Sequence, residues 1–431
     1  MVSRSKQSSL VPVLICSIGA LYYCYEFFLR ISPGVMMQEL MNLYHLTGAE
    51  AGSLSAYYYH AYTPMLIAVG LLMDRYGPRR LLTMACLCCA AGTWLFAGHY
   101  SLGVAECGRF LVGFGSAFAF VGALKLATIW LPPNRFALIS GAITCLGMVG
   151  GMCGDILLRY MVDAVGWHMT TGVSVGVGLV LALVIWVVVR DINFYSPYRY
   201  MNQLNFPELW RGLAKVLKNP QIWVNGFIGF LLYLSLSTFA ELWGMPYLQQ
   251  ARSLSHAHAA TANSMVFLGW AIGGPCWGLL SDSMGRRRAP LLTGSIGAFV
   301  VACLMLYLPD LSFSTLSVLL LLFGFFCSAQ ILIFAVCREL SNNAMAGTVI
   351  AITNMIVMLG GNIFQPVVGK LLDMNWLNTL AEGGRSYSLD NYQVALSVIP
   401  FGILIAFALA CVLRETHAHV PVNVRPASAE S

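Results

Sequence analysis

Charge is scarce in this chain of 431 residues: Asp, Glu, Lys and Arg make up 10% of it, against 58% hydrophobic residues. Soluble proteins carry about 25% charged residues, so too little polar surface is present to keep a globule of this size in water. Lipid must be the solvent. The phosphate-cradling pattern Gly-x-x-x-x-Gly-Lys-Ser/Thr is missing, which argues against ATP as the direct energy source. His-Glu-x-x-His and Gly-x-Ser-x-Gly are missing too, and no stretch reads as a soluble catalytic domain, so an enzyme is not expected. The pairs His256-Ala-His258 and His417-Ala-His419 have no third ligand, so neither a metal nor another cofactor is expected. The thirteen cysteines lie within or at the ends of apolar stretches, where they read as small packing residues.

What is present is apolar length. A bilayer core of about 30 Å takes about 20 apolar residues per helix, and twelve such stretches follow one another: 11–33, 48–71, 81–98, 102–130, 136–158 and 168–189, then 221–243, 260–280, 289–308, 312–336, 346–369 and 392–413. They are too long and continuous for barrel strands. The first ten residues are polar and the first run exceeds a signal-peptide core, so no cleaved leader is expected. The segment Gly70-Leu-Leu-Met-Asp-Arg-Tyr-Gly-Pro-Arg-Arg80 recurs as Gly278-Leu-Leu-Ser-Asp-Ser-Met-Gly-Arg-Arg-Arg288, 208 residues on and close to half the chain length. The fold expected is therefore an all-α membrane protein of twelve transmembrane helices in two six-helix pseudo-repeats. Its parts are an N-terminal segment 1–10, a first bundle 11–189, a polar linker 190–220, a second bundle 221–413 and a tail 414–431. The stretch 374–391 reads as an ordinary long loop. Of 24 Lys and Arg, 17 fall on the side that holds both termini, so the positive-inside rule places the termini in the cytoplasm. The net charge of +6 is then a matter of topology and no sign of a nucleic-acid partner.

Both copies of the repeated segment fit the pattern Gly-x-Leu-x-Asp-x-x-Gly-basic-basic, with Pro78 the one departure, and Arg109-Phe-Leu-Val-Gly113-Phe-Gly115 fits Arg-x-x-x-Gly-x-Gly. With two six-helix halves and a basic central linker, the chain resembles the major facilitator superfamily over essentially its whole length. Tyr25-Glu-Phe-Phe-Leu-Arg30, Trp130-Leu-Pro-Pro133 and Leu242-Trp-Gly-Met-Pro-Tyr247 look like phrases of a proteobacterial subgroup that includes phagosomal nutrient transporters. The resemblance implies halves set side by side, a solute bound between them near the midplane and access that alternates as they rock. It also implies a cytoplasmic gate that holds the outward-open state, formed by Gly70, Asp74, Arg75, Gly77 and Arg79 with Gly278, Asp282, Gly285 and Arg286. An aspartate at a helix end can pair with loop arginines or face the N-terminus of a neighbouring helix. The duller reading is a pair of solvated turns.

Ionisable residues inside the spans cost about 2.5–3.5 kcal/mol each on the insertion scale, so each needs a reason. Glu26 and Arg30 share a face of the first helix and form one candidate pair, though Arg30 could snorkel outward instead. Glu106 and Arg109 stand three apart and read as a second pair. By resemblance Arg109 is the arginine implicated in proton coupling or substrate binding, with Glu106 as its carboxylate partner. Lys125 lies about 24 Å further along that helix and could reach the cytoplasm or bind an anion. Asp155 could carry a proton or serve Arg159 as a static partner, while Glu241, set near an outer helix end, could carry a proton or simply be exposed. Tyr25, Gln330 and Asn354 join the candidate polar lining with His60, which reads more readily as a packing residue than as a proton carrier.

The function expected is a secondary active transporter of a small polar organic solute, with proton-coupled uptake through a bacterial inner membrane by a monomer. An amino acid, small peptide or similar zwitterion suits the two opposite-charge pairs. The alternatives are an organic anion, export of an amphiphilic compound, and a non-transporting membrane receptor.

Overall fold

The computed structural model describes residues 10–98, 101–131, 136–191, 218–341, 346–374, 376, 380–381 and 384–416. The expected N-terminal segment and tail and nearly all of the linker 190–220 lie outside the described residues.

Among the described residues, twelve long helices run back and forth. The first six are α1 (Leu10–Val35), α2 (Gly48–Tyr76), α3 (Pro78–Ala97), α4 (Leu102–Trp130), α5 (Ile139–Val165) and α6 (Trp167–Val188). The second six are α7 (Pro220–Ala251), α8 (His256–Met284), α9 (Arg288–Tyr307), α10 (Phe313–Glu339), α11 (Ala346–Met374) and α12 (Leu389–Val412). Eleven are long and apolar enough to cross a membrane. The twelfth, α2, is 29 residues long but more polar, because Tyr57, Tyr58, Tyr59, His60 and Tyr62 sit in its middle. Across the two halves α2 packs on α11, α5 on α8 and α1 on α7.

Two departures from the sequence reading matter for function. Helix α7 does not stop near residue 243 but continues to Ala251 through wide turns at Ser235–Trp243 and Tyr247–Ala251 on either side of Pro246. Proline lacks an N–H and crowds the preceding turn, and wider turns absorb that strain. Glu241 consequently lies well inside the bundle and is 1% exposed, so simple exposure at a helix end is ruled out. The stretch 374–391 is not a plain loop either: Leu380–Ala381 pairs with Gly384–Arg385, and Tyr387 is buried.

The two ends of the bundle are packed differently. At the end away from the repeated segments, which we call the far end, small residues let the halves touch. A Cβ on Gly48 would stand 2.7 Å from the carbonyl oxygen of Gly369, and one on Gly34 would stand 2.6 Å from that of Glu241. At the end that carries the repeated segments, the loop end, a Cβ on Gly70 or Gly278 would meet nothing within 4 Å among the described residues.

Candidate functional site

Arg30 is the hub of a polar cluster at the junction of the halves. Its Nε and Nη2 donate to Glu26 Oε1 at 2.9 and 2.6 Å, because residues four apart on α1 share a face. Nε also donates to the Tyr58 hydroxyl at 3.0 Å, and Tyr58 in turn donates to Glu26. From the other half, Tyr233 accepts from Arg30 Nη1 at 3.1 Å and Glu241 Oε1 lies 3.6 Å from the same nitrogen. Tyr59 donates to Glu241 Oε2 and closes a second link between α2 and α7. The rings of Phe27 and Tyr62 stand 4.4 and 5.0 Å from the Arg30 guanidinium carbon. The expected Glu26–Arg30 pair is thus present, but it belongs to a larger set that also holds Glu241.

Arg109 adjoins this set and, among the described residues, has no ion pair with a carboxylate. Its Nη1 and Nη2 donate to the carbonyls of Leu29 and Arg30 at 3.0 and 3.2 Å, and its buried Nε has no partner. The expected Glu106–Arg109 pair does not form. Arg109 turns inward to α1, whereas Glu106 faces the Tyr57 hydroxyl on the half-exposed side of α4. His60 is exposed, beside Tyr57 and bonded to its own helix at the Ala56 carbonyl, so it lies off the central cluster. Tyr25 points into the first half and donates to the Ser174 carbonyl on α6 at 2.9 Å. Gln330 is buried at a tightened turn of α10, and Asn354 is half-buried on α11.

Asp155 and Arg159 are not partners. Arg159 bonds Glu39 at 2.9 Å and also pairs with Asp163, while Asp155 takes its one hydrogen bond from Asn263 of α8 at 2.8 Å. Lys125 reaches the loop end and pairs with Asp74 at 2.5 Å, inside its own half. That position is far from Arg109 and outside the central cluster.

The repeated segments behave as half-local structures here. In the first, Gly77 takes φ +80° between α2 and α3 and lies against the Asp191 carboxylate, which accepts from Arg79 N at 2.7 Å. Arg79 Nε donates to the Trp186 carbonyl at 2.8 Å, and Arg75 lies over the Tyr76 ring. In the second, Gly285 ends α8 at φ +63°, Arg286 is exposed, and the buried basic residue is its neighbour Arg287. Arg287 binds Asp282 at 2.6 Å and Glu339 at 2.9 Å. Burial works against the Arg287 charge, but these carboxylates hold its pKa above the usual arginine value. Among the described residues, the ion pairs at the loop end each stay within one half.

At the far end the links do cross. Asp373 of α11 accepts from the backbone N–H of Gly48 and Ala49 at 2.9 and 2.8 Å, capping α2 of the other half. Thr47 and Glu50 complete that helix start with a reciprocal capping box. Arg385 at 2.9 Å and the Tyr387 hydroxyl at 2.7 Å hold Asp373 from behind. Burial first, and then the Asp373 charge, push the Tyr387 hydroxyl well above the usual tyrosine range, so it stays a donor. Gln250 donates to Gln38 at 2.9 Å, and His256 lies 3.1 Å from Asp163.

Residues 17–365 match the family model described as Major Facilitator Superfamily. The chain belongs to that superfamily. Its relatives include the probable sulfoacetate transporter SauU of Cupriavidus necator, 24% identical over 73% of this chain and 76% of that protein. The membrane sensor protein UhpC of Salmonella typhimurium is 24% identical over 88% of this chain and 89% of its own length. A crystal structure of a bacterial homolog of the human lysosomal transporter Spinster, inward-facing and occupied, superposes with a TM-score of 0.75 at 15% identity. That superposition covers 94% of this chain and 97% of the other. This superfamily member is a multi-pass membrane protein with a transporter fold. Nothing local in the sequence marks Tyr233, Asp191, Glu339 or Asp373 as partners of these residues, since each acts through a neighbour distant in the chain.

Proposed function

We propose that this superfamily member is a proton-coupled importer of a small organic anion, a carboxylate or sulfonate, in a bacterial inner membrane with both termini in the cytoplasm. The observation that carries the reading is Arg109: a buried guanidinium with no carboxylate partner and one unused donor, beside the Arg30 hub. The preference for a zwitterion rested on two opposite-charge pairs, and one of them is absent. Glu26 and Glu241 supply two negative charges against the two arginines. Protonation of Glu241 leaves Arg30 with Glu26 alone and frees guanidinium charge for an anionic cargo group, which a planar fork binds in two-toothed fashion. Departure of the proton restores the Glu241–Arg30 contact and expels the anion. One proton per monoanion makes the cycle electroneutral. Sulfoacetate and galactarate/D-glucarate, named for relatives from Cupriavidus necator and Escherichia coli, are small organic dianions, for which one proton per turn leaves one negative charge to move with the cargo. The packing of the two ends supports a state closed at the far end and open toward the cytoplasm, with the repeated-segment gate disengaged.

Uptake into proteoliposomes, screened over carboxylates, sulfonates, sugar phosphates and amino acids with imposed pH and voltage gradients, tests this. Anion flux driven by the pH gradient is expected, indifferent to voltage for a monoanion and, at one proton per turn, sensitive to voltage for a dianion. Flux confined to amino acids overturns the anion, and a pH-insensitive flux overturns the coupling. The similarity to UhpC favours a second reading, a sensor, which would show saturable anion binding with no flux.

A further inference from the structure

Asp155 is a carboxylate outside the central cluster. It is 0% exposed in a wide turn of α5 (Gly154–Leu158), with Oδ2 accepting from Asn263 Nδ2 at 2.8 Å and Oδ1 without a partner. The second amide hydrogen of Asn263 goes to the Ala240 carbonyl of α7 at 2.8 Å, and Asn263 Oδ1 is also buried and unpartnered. The three residues tie α5 of the first half to α7 and α8 of the second.

The free thiols of Cys24 on α1 and Cys153 on α5 lie near this turn, and the Glu, Arg and His side chains on the elements packed around it are engaged elsewhere. On α1, Glu26 and Arg30 bind each other; on α5 itself, Arg159 binds Glu39 and Asp163. On α7, Glu241 faces Tyr59 and Arg30. On α8, His256 faces Asp163 and His258 stacks on Phe313. Among the described residues none forms an ion pair with Asp155.

One amide donor and no cation leave a carboxylate sealed from water with unpaired oxygen, which is costly unless a further donor is supplied. A single proton supplies the donor this site lacks, and the orphaned Asp155 Oδ1 and Asn263 Oδ1 are the buried oxygens it would serve. We propose that Asp155 and Asn263 form a proton-binding site, distinct from the central cluster, whose occupation is required for the far end to close. When the far end opens, water reaches Asp155, the proton leaves and the Asn263 bridge weakens.

The inference rests on the transporter reading only through two-state closure, and its readout needs no cargo, so a wrong cargo assignment would leave it standing. Hydrogen–deuterium exchange of the full-length protein in nanodiscs, corrected for intrinsic pH dependence, is followed over residues 46–54 and 256–264 from pH 5.5 to 8.5. In the wild type, protection at both segments should fall at least threefold as pH rises. Asp155→Asn, which keeps the shape and a donor without a titrating proton, should stay protected throughout. Asn263→Ala, which removes the amide bridge, should reduce protection at every pH. Equal pH dependence in wild type and Asp155→Asn would overturn the proposal, as would protection restored at pH 8.5 by sodium ion, which would make the ligand a metal cation.

Discussion

The far end and the loop end of this bundle use the same materials to opposite effect. Both place glycines on the interface helices and aspartates at helix ends. At the far end Gly48 and Gly34 lie against backbone of the other half and Asp373 caps a helix across the divide. At the loop end Gly70 and Gly278 face open space and Asp74 and Asp282 turn to Lys125 and Arg287 of their own halves. The difference teaches that an aspartate beside a glycine is not itself a lock. What makes it one is whether a helix start from the other half is within reach, as the start of α2 is for Asp373.

Substitutions at the two ends should therefore have unequal effects. The largest is expected for Gly52→Leu, since a side chain there would overlap Gln365 and Pro366 on α11. Overpacking of about 1–3 kcal/mol depopulates the far-closed state about 5- to 150-fold, visible as faster amide exchange over residues 46–54 and loss of net uptake. Unchanged exchange would mean the far-end contact does not limit closure. Next comes Asp373→Ala, which removes the cap on α2. Cap and dipole contributions of about 0.5–2 kcal/mol predict a shift of about 2- to 30-fold in the same exchange measurement, with the Gly48 and Ala49 amides most affected. Gly278→Ala sharpens the contrast. Its methyl meets nothing in this state, so thermal unfolding in detergent should shift by less than about 0.5 kcal/mol, and any loss of uptake would come from the opposite state. Smallest is Lys125→Gln: its pair with Asp74 is partly exposed, and such pairs contribute about 0–1 kcal/mol. A large loss of stability there would show a buried role that the geometry does not contain.

The helices and their pairing into halves were legible because apolar length and a repeated segment are local in the chain. The Glu26–Arg30 pair was legible for the same reason, being one helical turn apart. Glu106–Arg109 failed on that logic: spacing of three allows a pair, but Arg109 found the carbonyls of Leu29 and Arg30 across 80 residues of chain. Asn263 is an amide in an otherwise apolar helix, yet nothing local joins it to Asp155, 108 residues away. Glu241 was misplaced because the apolar stretch was ended at residue 243, when wider turns carry the helix on to Ala251.

Gly77 alone separates α2 from α3, with Asp191 seated against it and bonded to Arg79 at the start of α3. A one-residue joint clamped in this way has no slack. Any force on the loop end of α2 is passed to α3 and the end of α6 together, so that corner swings as a single lever. A longer, freer connection would let α2 bend by itself and would separate its movement from that of α3 and the end of α6.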